Sequence, residues 1–151
     1  MASNPAGSFH ALRPWYEALL VEAYAAAGKT EAGLNKAAEA LALVEKGGFR
    51  FYEAGLLRLH GELLLMQPDP NASEAETCIQ QALDLAHEQQ SKSLELRAAI
   101  SLSRLWNQQG KRVEAHNLLT EIYDWFSEGF DTADLKEAKA LMDNLSQAGT
   151  A

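Results

Sequence analysis

A chain of 151 residues that is 47% apolar has enough core-forming material for one domain, which at this size buries about two-thirds of its unfolded surface; wholesale disorder is excluded. Twenty-one acidic against 13 basic residues give a net charge of −8, and with no Lys/Arg stripe there is no counterion-release contribution to support nucleic-acid binding. One cysteine, Cys78, rules out an intrachain disulfide and fits a reducing cytoplasm, and no apolar run, 63–66 among them, exceeds five residues, far too short to cross a bilayer.

Residues 1–13, rich in small and polar side chains, read as a flexible N-terminal segment with neither the basic nor the apolar region of a signal peptide. Pro14 suits the first turn of a helix carrying Trp15, Leu19, Leu20, Ala23 and Tyr24 at helical spacing, broken at Gly28. Thr30 can cap a second helix striped by Leu34, Ala37, Ala38, Leu41 and Val44 and ended by Gly47 and Gly48. A third helix carries Phe51, Ala54, Leu57, Gly61, Leu64 and Leu65 and stops at Pro68-Asp69-Pro70-Asn71. Ser73 with Glu76 reads as a capping box opening a fourth, lined by Ala75, Cys78, Ile79, Ala82, Leu83 and Ala86. A fifth places Ala98, Ala99, Leu102, Leu105 and Trp106 inward, and a turn at Gly110-Lys111 leads to a sixth with Val113, Leu118, Leu119, Ile122, Tyr123 and Phe126. Asp131 or Thr132 caps a seventh with Leu135, Ala138, Leu141, Met142 and Leu145; residues 147–151 form a flexible C-terminus.

One plan appears twice along this string. With Ala75 set over Ala115, 40 residues on, Gly61 falls near Ser103, Ile79 over Leu119 and Ala82 over Ile122. Periods of this size mark stacked helix hairpins that bury their apolar faces against neighbours. Residues 15–47 read as a weaker first copy. The expected fold is therefore all-α: a right-handed superhelical array of about three helix hairpins plus a C-terminal capping helix, over residues 14–146.

The array resembles tetratricopeptide-like repeats. Gly61 with Leu64, and Ser103 with Trp106, match the small and large residues of that pattern's first helix; Gly110 matches its turn; Ala75, Ile79 and Ala82, and Ala115, Leu119 and Ile122, match its second helix. No copy ends in the usual proline, and the period is 40 rather than 34 residues. From about residue 50 to 145, the strings LLRLHGELLL, EAETCIQQALDLA, KSLELRAAISLSRLW and EIYDWFSEGFDTADLKEAKALMDNL are similar to the C-terminal repeat tails of large bacterial signalling proteins. Those proteins join a class III adenylate/guanylate cyclase or a DNA-binding activator module to an ATPase module. The resemblance implies a regulatory segment without the catalytic parts, since no GxxxxGK[ST] loop is present.

Sites of chemistry are few. His10, His60, His87 and His116 lie apart without the i,i+3 or i,i+4 His/Cys pair that a helix-borne metal site needs. Cys78 lies on an apolar stripe and reads as an inert thiol; Glu121 and Asp124 read as a solvated face; Trp106, Tyr123 and Phe126 read as core, with Trp125 more exposed. In stacked hairpins the first helices line the concave surface. Their non-core faces carry Trp15, Ala18 and Glu22, then Arg58 and Glu62, then Arg97, Arg104, Asn107 and Gln108. Arg58, Arg97 and Arg104 are three of the six arginines, and guanidinium groups grip carboxylates bidentately. The expected function is a non-catalytic scaffold that binds a protein or peptide, with acidic or carboxylate groups on the partner, and a homodimer as a further form. The alternative is a sensor with a small effector in the concave groove. No cofactor, metal, nucleic acid or membrane is expected, and the expected location is cytoplasmic.

Overall fold

The computed structural model describes residues 5–47 and 50–147, with backbone alone for 5–12 and Pro14. Seven α-helices follow in chain order: α1 (Pro5–Ala26), α2 (Thr30–Gly47), α3 (Glu53–Leu65), α4 (Ala72–Glu88), α5 (Lys92–Gln108), α6 (Arg112–Tyr123) and α7 (Ala133–Gln147), with a 3-10 turn at Arg50–Tyr52 before α3. Among the described residues there is no strand, and the chain is all-α. Residues 1–4 and 148–151 of the expected terminal segments, and Gly48 of the expected α2 stop, lie outside the described residues.

Three boundaries differ from expectation. Helix α1 begins at Pro5, so Pro14 lies inside it and not at its first turn. The N-cap of α4 is Asn71, two residues upstream of Ser73: Asn71 Oδ1 accepts from the Glu74 backbone N–H at 3.1 Å, and Asn71 Nδ2 donates to Glu74 Oε2 at 3.2 Å, a side-chain pair in place of the expected capping box. Asn71 thus both closes the Pro-rich stop and opens the helix. Helix α6 ends at Tyr123, leaving Phe126 in the following loop.

The chain divides into two compact units, Met1–Ala82 and Leu83–Ala151, the division falling within α4. In the first, α1 packs on α2, and α3 packs on both. Val21, Ala37, Ala40, Val44, Leu56, Leu59 and Leu63 form its buried cluster. Alanines on α2 keep the helices close. Glu17 is buried at its edge, where Lys36 Nζ stands 3.1 Å from its Oε2; hydrogen bonding to Glu39 and then to Glu17 holds the Lys36 ammonium above its ordinary pKa. In the second unit α5 packs on α6, and α7 packs on both, the same three-helix plan. Its core holds Leu96, Ala99, Leu102, Leu105, Ala115, Leu119, Ile122, Leu135, Ala138 and Leu145.

Helix ends show why the plan recurs. After α1, Gly28 at φ 72° donates its N–H to Ala25 O, and Lys29 donates to Tyr24 O. After α5, Gly110 at φ 82° donates to Asn107 O, and Lys111 to Trp106 O. This pair of bonds is a Schellman closure, which needs a left-handed residue just past the helix. Gly33, Glu95 and Ala115 then make the first backbone bond of the next helix, to Lys29, Ser91 and Lys111. Between α4 and α5 the same closure is made by Gln90, at φ 56°, donating to His87 O, with Ser91 donating to Ala86 O. A side chain in this conformation costs roughly 1–2 kcal/mol, part of which glycine returns through its greater freedom when unfolded. Gln90→Gly is expected to raise stability by about 1 kcal/mol, read as a higher urea midpoint at unchanged slope; a lower midpoint would contradict the turn's strain.

Helix crossings repeat as well. Gly61 on α3 faces α4 so closely that a Cβ there would lie 2.6 Å from Ile79 Cγ1 and 3.0 Å from Ala75 O. At the matching place in the second unit, the fully buried Ser103 donates its hydroxyl to Ala115 O at 3.1 Å. Gly61 and Ser103 therefore meet the equivalent carbonyl of the following helix, with the α3–α4 crossing the tighter of the two.

Candidate functional site

The six arginines are all engaged within the chain. Arg58 Nη1 donates to Glu62 Oε1 at 2.9 Å, one turn on in α3, so two of the expected groove residues pair with each other. Arg97 Nε donates to Asp134 Oδ2 at 2.9 Å, and Arg104 pairs with Glu137, so both side chains on the expected groove face of α5 meet the acidic face of α7. Arg13 faces Glu17 at 3.6 Å, Arg50 donates to Glu53 at 3.0 Å, and Arg112 donates to the Asn144 and Leu145 carbonyls at the end of α7. Charge reversal at Arg97 and Arg104 would set carboxylates against Asp134 and Glu137, loosening α7 as well as removing cations. Asn107 lends its carbonyl to the Gly110 turn, and Gln108 is exposed beside it. The structure brings Arg58 and Glu62 together in the first unit, and groups Arg97, Arg104, Asn107 and Gln108 on α5 in the second.

Trp15 and Glu22 lie on exposed parts of α1. Trp15 belongs to a larger apolar surface there: Trp15 is 42% exposed, Tyr16 54%, Leu19 44% and Leu20 43%. Superposing the closures at Gly28 and Gly110, 82 residues apart, sets Tyr16, Leu19 and Leu20 over Ala98, Ser101 and Leu102. Those three residues of α5 are buried. Equivalent positions are thus covered in one unit and open in the other. Sequence periodicity marks Leu19 and Leu20 as core, because an apolar helical stripe carries no sign of whether a neighbour covers it.

Each unit also holds a cavity, and the two occupy equivalent places. The first, of about 860 Å³, lies among α2, α3 and Gln81 of α4, over a floor that includes Leu41, Ala42 and Leu57. The second, of about 320 Å³, is walled by Leu83, Leu118 and Ile122 and carries Asp84, His87, Glu88, Glu95 and Glu121. Setting Gly33 over Ala75 over Ala115 by their first helical bonds, Leu41 matches Leu83, Ala42 matches Asp84, Glu45 matches His87 and Gln81 matches Glu121. At the base, Glu53 matches Glu95, each in an ion pair with a basic residue three positions earlier: Arg50 at 3.0 Å and Lys92 at 3.1 Å. Sequence reasoning treated Glu121 as solvated and did not single out Glu95. The recurring basic-x-x-Glu, 42 residues apart, was the available signal.

Among the described residues, no group of three His, Cys, Asp or Glu side chains is placed to hold a metal ion, and no helix is long and apolar enough to cross a membrane. His116 Nε2 is hydrogen-bonded to Ser146 Oγ at 3.0 Å, and His87 Nδ1 to Glu95 Oε1 at 3.1 Å. Cys78 is half-buried; burial, then the Glu74 charge, raises its pKa and so keeps it in the poorly nucleophilic thiol form. Trp106, Tyr123 and Phe126 are half-buried rather than core, Trp125 is exposed, and Lys92 Nζ stands 5.4 Å over the Trp125 ring. No family model matches the chain, and comparison with curated proteins and with solved structures gives no match.

Proposed function

We propose that the chain is a non-catalytic, tetratricopeptide-like scaffold that binds another protein, serving as a regulatory segment of a bacterial cytoplasmic signalling protein. The observation that carries this reading is the apolar face of α1, where Tyr16, Leu19 and Leu20 are exposed at positions whose α5 counterparts are buried. Contiguous exposed apolar groups rimmed by charge mark association surfaces. The repeated Schellman closures and the equivalent Gly61 and Ser103 crossings support the repeat reading, and a right-handed superhelical stack is the arrangement proposed for them. Arg58, Arg97 and Arg104, already paired with acidic side chains, act in this reading as exchangeable cations for acidic groups on a partner.

A photo-crosslinker placed at Tyr16 tests the face directly. A specific protein adduct, or a doubled mass in light scattering for a homodimer, is expected, and Leu19→Glu with Leu20→Glu abolishes it while the circular dichroism stays unchanged. A monomer at every concentration, with no more adduct than a crosslinker at exposed Glu128 gives, would sink the reading. The second reading, a small-effector sensor, is favoured by the two cavities. A ligand-induced rise in melting temperature that leaves α1 crosslinking unchanged would support it.

A further inference from the structure

Helix α7 rests on a charged seat that the first unit lacks. Arg97 and Arg104 of α5 take Asp134 and Glu137 from its first half, and Arg112 of α6 donates to the Asn144 and Leu145 carbonyls at its end, where a cation also meets the negative pole of the helix dipole. Superposing the closures at Gly28 and Gly110 sets Trp15, Glu22 and Thr30 over Arg97, Arg104 and Arg112. The first unit therefore keeps the same three-helix plan with no cation at these places. In the second, α7 fills the seat incompletely. Arg112 Nε is buried without a hydrogen-bond partner among the described residues, so one donor of the seat goes unused. Within α7, Lys139 draws off Asp143 at 2.6 Å, and Lys136 adds positive charge beside Glu137. No residue of α3 is exposed, whereas nine of the 15 in α7 are, and the segment 124–132 that carries α7 holds no helix or strand.

We propose that α7 is a built-in occupant of a docking seat for an acidic amphipathic helix of a partner protein, and that the partner binds by displacing it. The two ion pairs that hold α7 to α5 are partly exposed, where water and salt make such pairs easy to exchange. Leu135, Ala138 and Leu145, the buried residues of α7, give the apolar stripe that a rival must reproduce. Carried on the same chain, α7 competes at high effective concentration, so the seat stays closed until a better-fitting helix arrives. A helix with more carboxylates than α7 is such a rival. A second copy offers only the same helix, already served by its own seat. The inference rests on the protein-binding reading and adds the partner's chemistry, on a surface distinct from α1.

The test is fluorescence anisotropy of the full chain with a labelled peptide of residues 131–147 carrying Lys136→Glu and Lys139→Glu. The wild type binds it, and binds the unsubstituted peptide at least threefold more weakly. Asp134→Lys with Glu137→Lys in the chain, which repels its own α7 from the seat, tightens binding at least tenfold. Fastening α7 with a short bismaleimide across His116→Cys and Ser146→Cys, in a Cys78→Ser chain, abolishes binding, and the same variant blocked with N-ethylmaleimide retains it. Arg97→Glu with Arg104→Glu loses the acidic peptide but binds one carrying Asp134→Lys and Glu137→Lys at least tenfold more tightly than the wild type does, a rescue that an unfolded variant would not give. No binding to any form, equal affinity in the fastened and blocked chains, or absence of the charge-swapped rescue would each overturn the proposal. A doubled mass that survives Leu19→Glu with Leu20→Glu would overturn the choice of occupant in favour of α7 from a second copy. That same double variant leaves peptide affinity within twofold, so failure at α1 and failure at the seat are read separately.

Discussion

Gly61→Ala is expected to destabilise the protein by about 1–3 kcal/mol, although alanine is the better helix former by about 1 kcal/mol. The new Cβ meets Ile79 Cγ1 at 2.6 Å and the Ala75 carbonyl at 3.0 Å. Neither yields easily: one is next to the side-chain root of a fully buried residue, the other is backbone, so α3 and α4 must move apart. Gly33→Ala is the matched control. Its Cβ would meet the two terminal methyls of Leu63 at 2.9 and 3.0 Å, and Tyr24 Cβ at an ordinary 3.4 Å. A small rotation of Leu63 relieves that contact, and the helix-propensity gain offsets the remainder, so Gly33→Ala is expected to be close to neutral. Urea unfolding of both variants decides the matter: equal effects would show that the α3–α4 approach does not constrain position 61.

Leu102→Ala is expected to cost about 2–5 kcal/mol, the range for deleting a buried leucine side chain and leaving a cavity. Leu102 is wholly buried on α5. Leu20, its counterpart on α1, is 43% exposed, and Leu20→Ala in a dilute monomer is expected to change stability by no more than about 0.5 kcal/mol. The pair turns the repeat equivalence into a measurement, because one substitution at one register position is read with and without a covering neighbour. A large loss for Leu20→Ala would mean that the α1 face is already covered in solution, and the loss would then grow with protein concentration.

Element type was legible because it is written locally. The 3.6-residue stripes located seven helices, and Gly28 and Gly110 marked two of the turns on account of their left-handed backbone. Gln90 makes the same closure with a residue that carries no such mark. Asn71 was hidden within a run that reads as a helix stop. The candidate groove was legible only as a register. Spacing placed Arg97 and Arg104 on one face of α5, but their carboxylate partners stand on α7, more than thirty residues downstream, where helical periodicity says nothing of pairing. The cavities were harder still, since each draws on three helices and becomes visible only when the copies are aligned by their turn hydrogen bonds.

The Schellman closures after α1, α4 and α5 also bear on how the chain finds its fold. Each turn is completed by residues within one helical turn of it, and the described helix pairs are formed by elements that adjoin or lie one helix apart in the chain. Such contacts close short loops, and topologies dominated by them fold in microseconds to milliseconds. Glycine at 28 and 110 makes those two reversals ready before any core exists, whereas Gln90 must be held in place by the helices it joins. Gln90→Gly is accordingly expected to speed folding as well as to stabilise the turn, read as a faster refolding limb in urea.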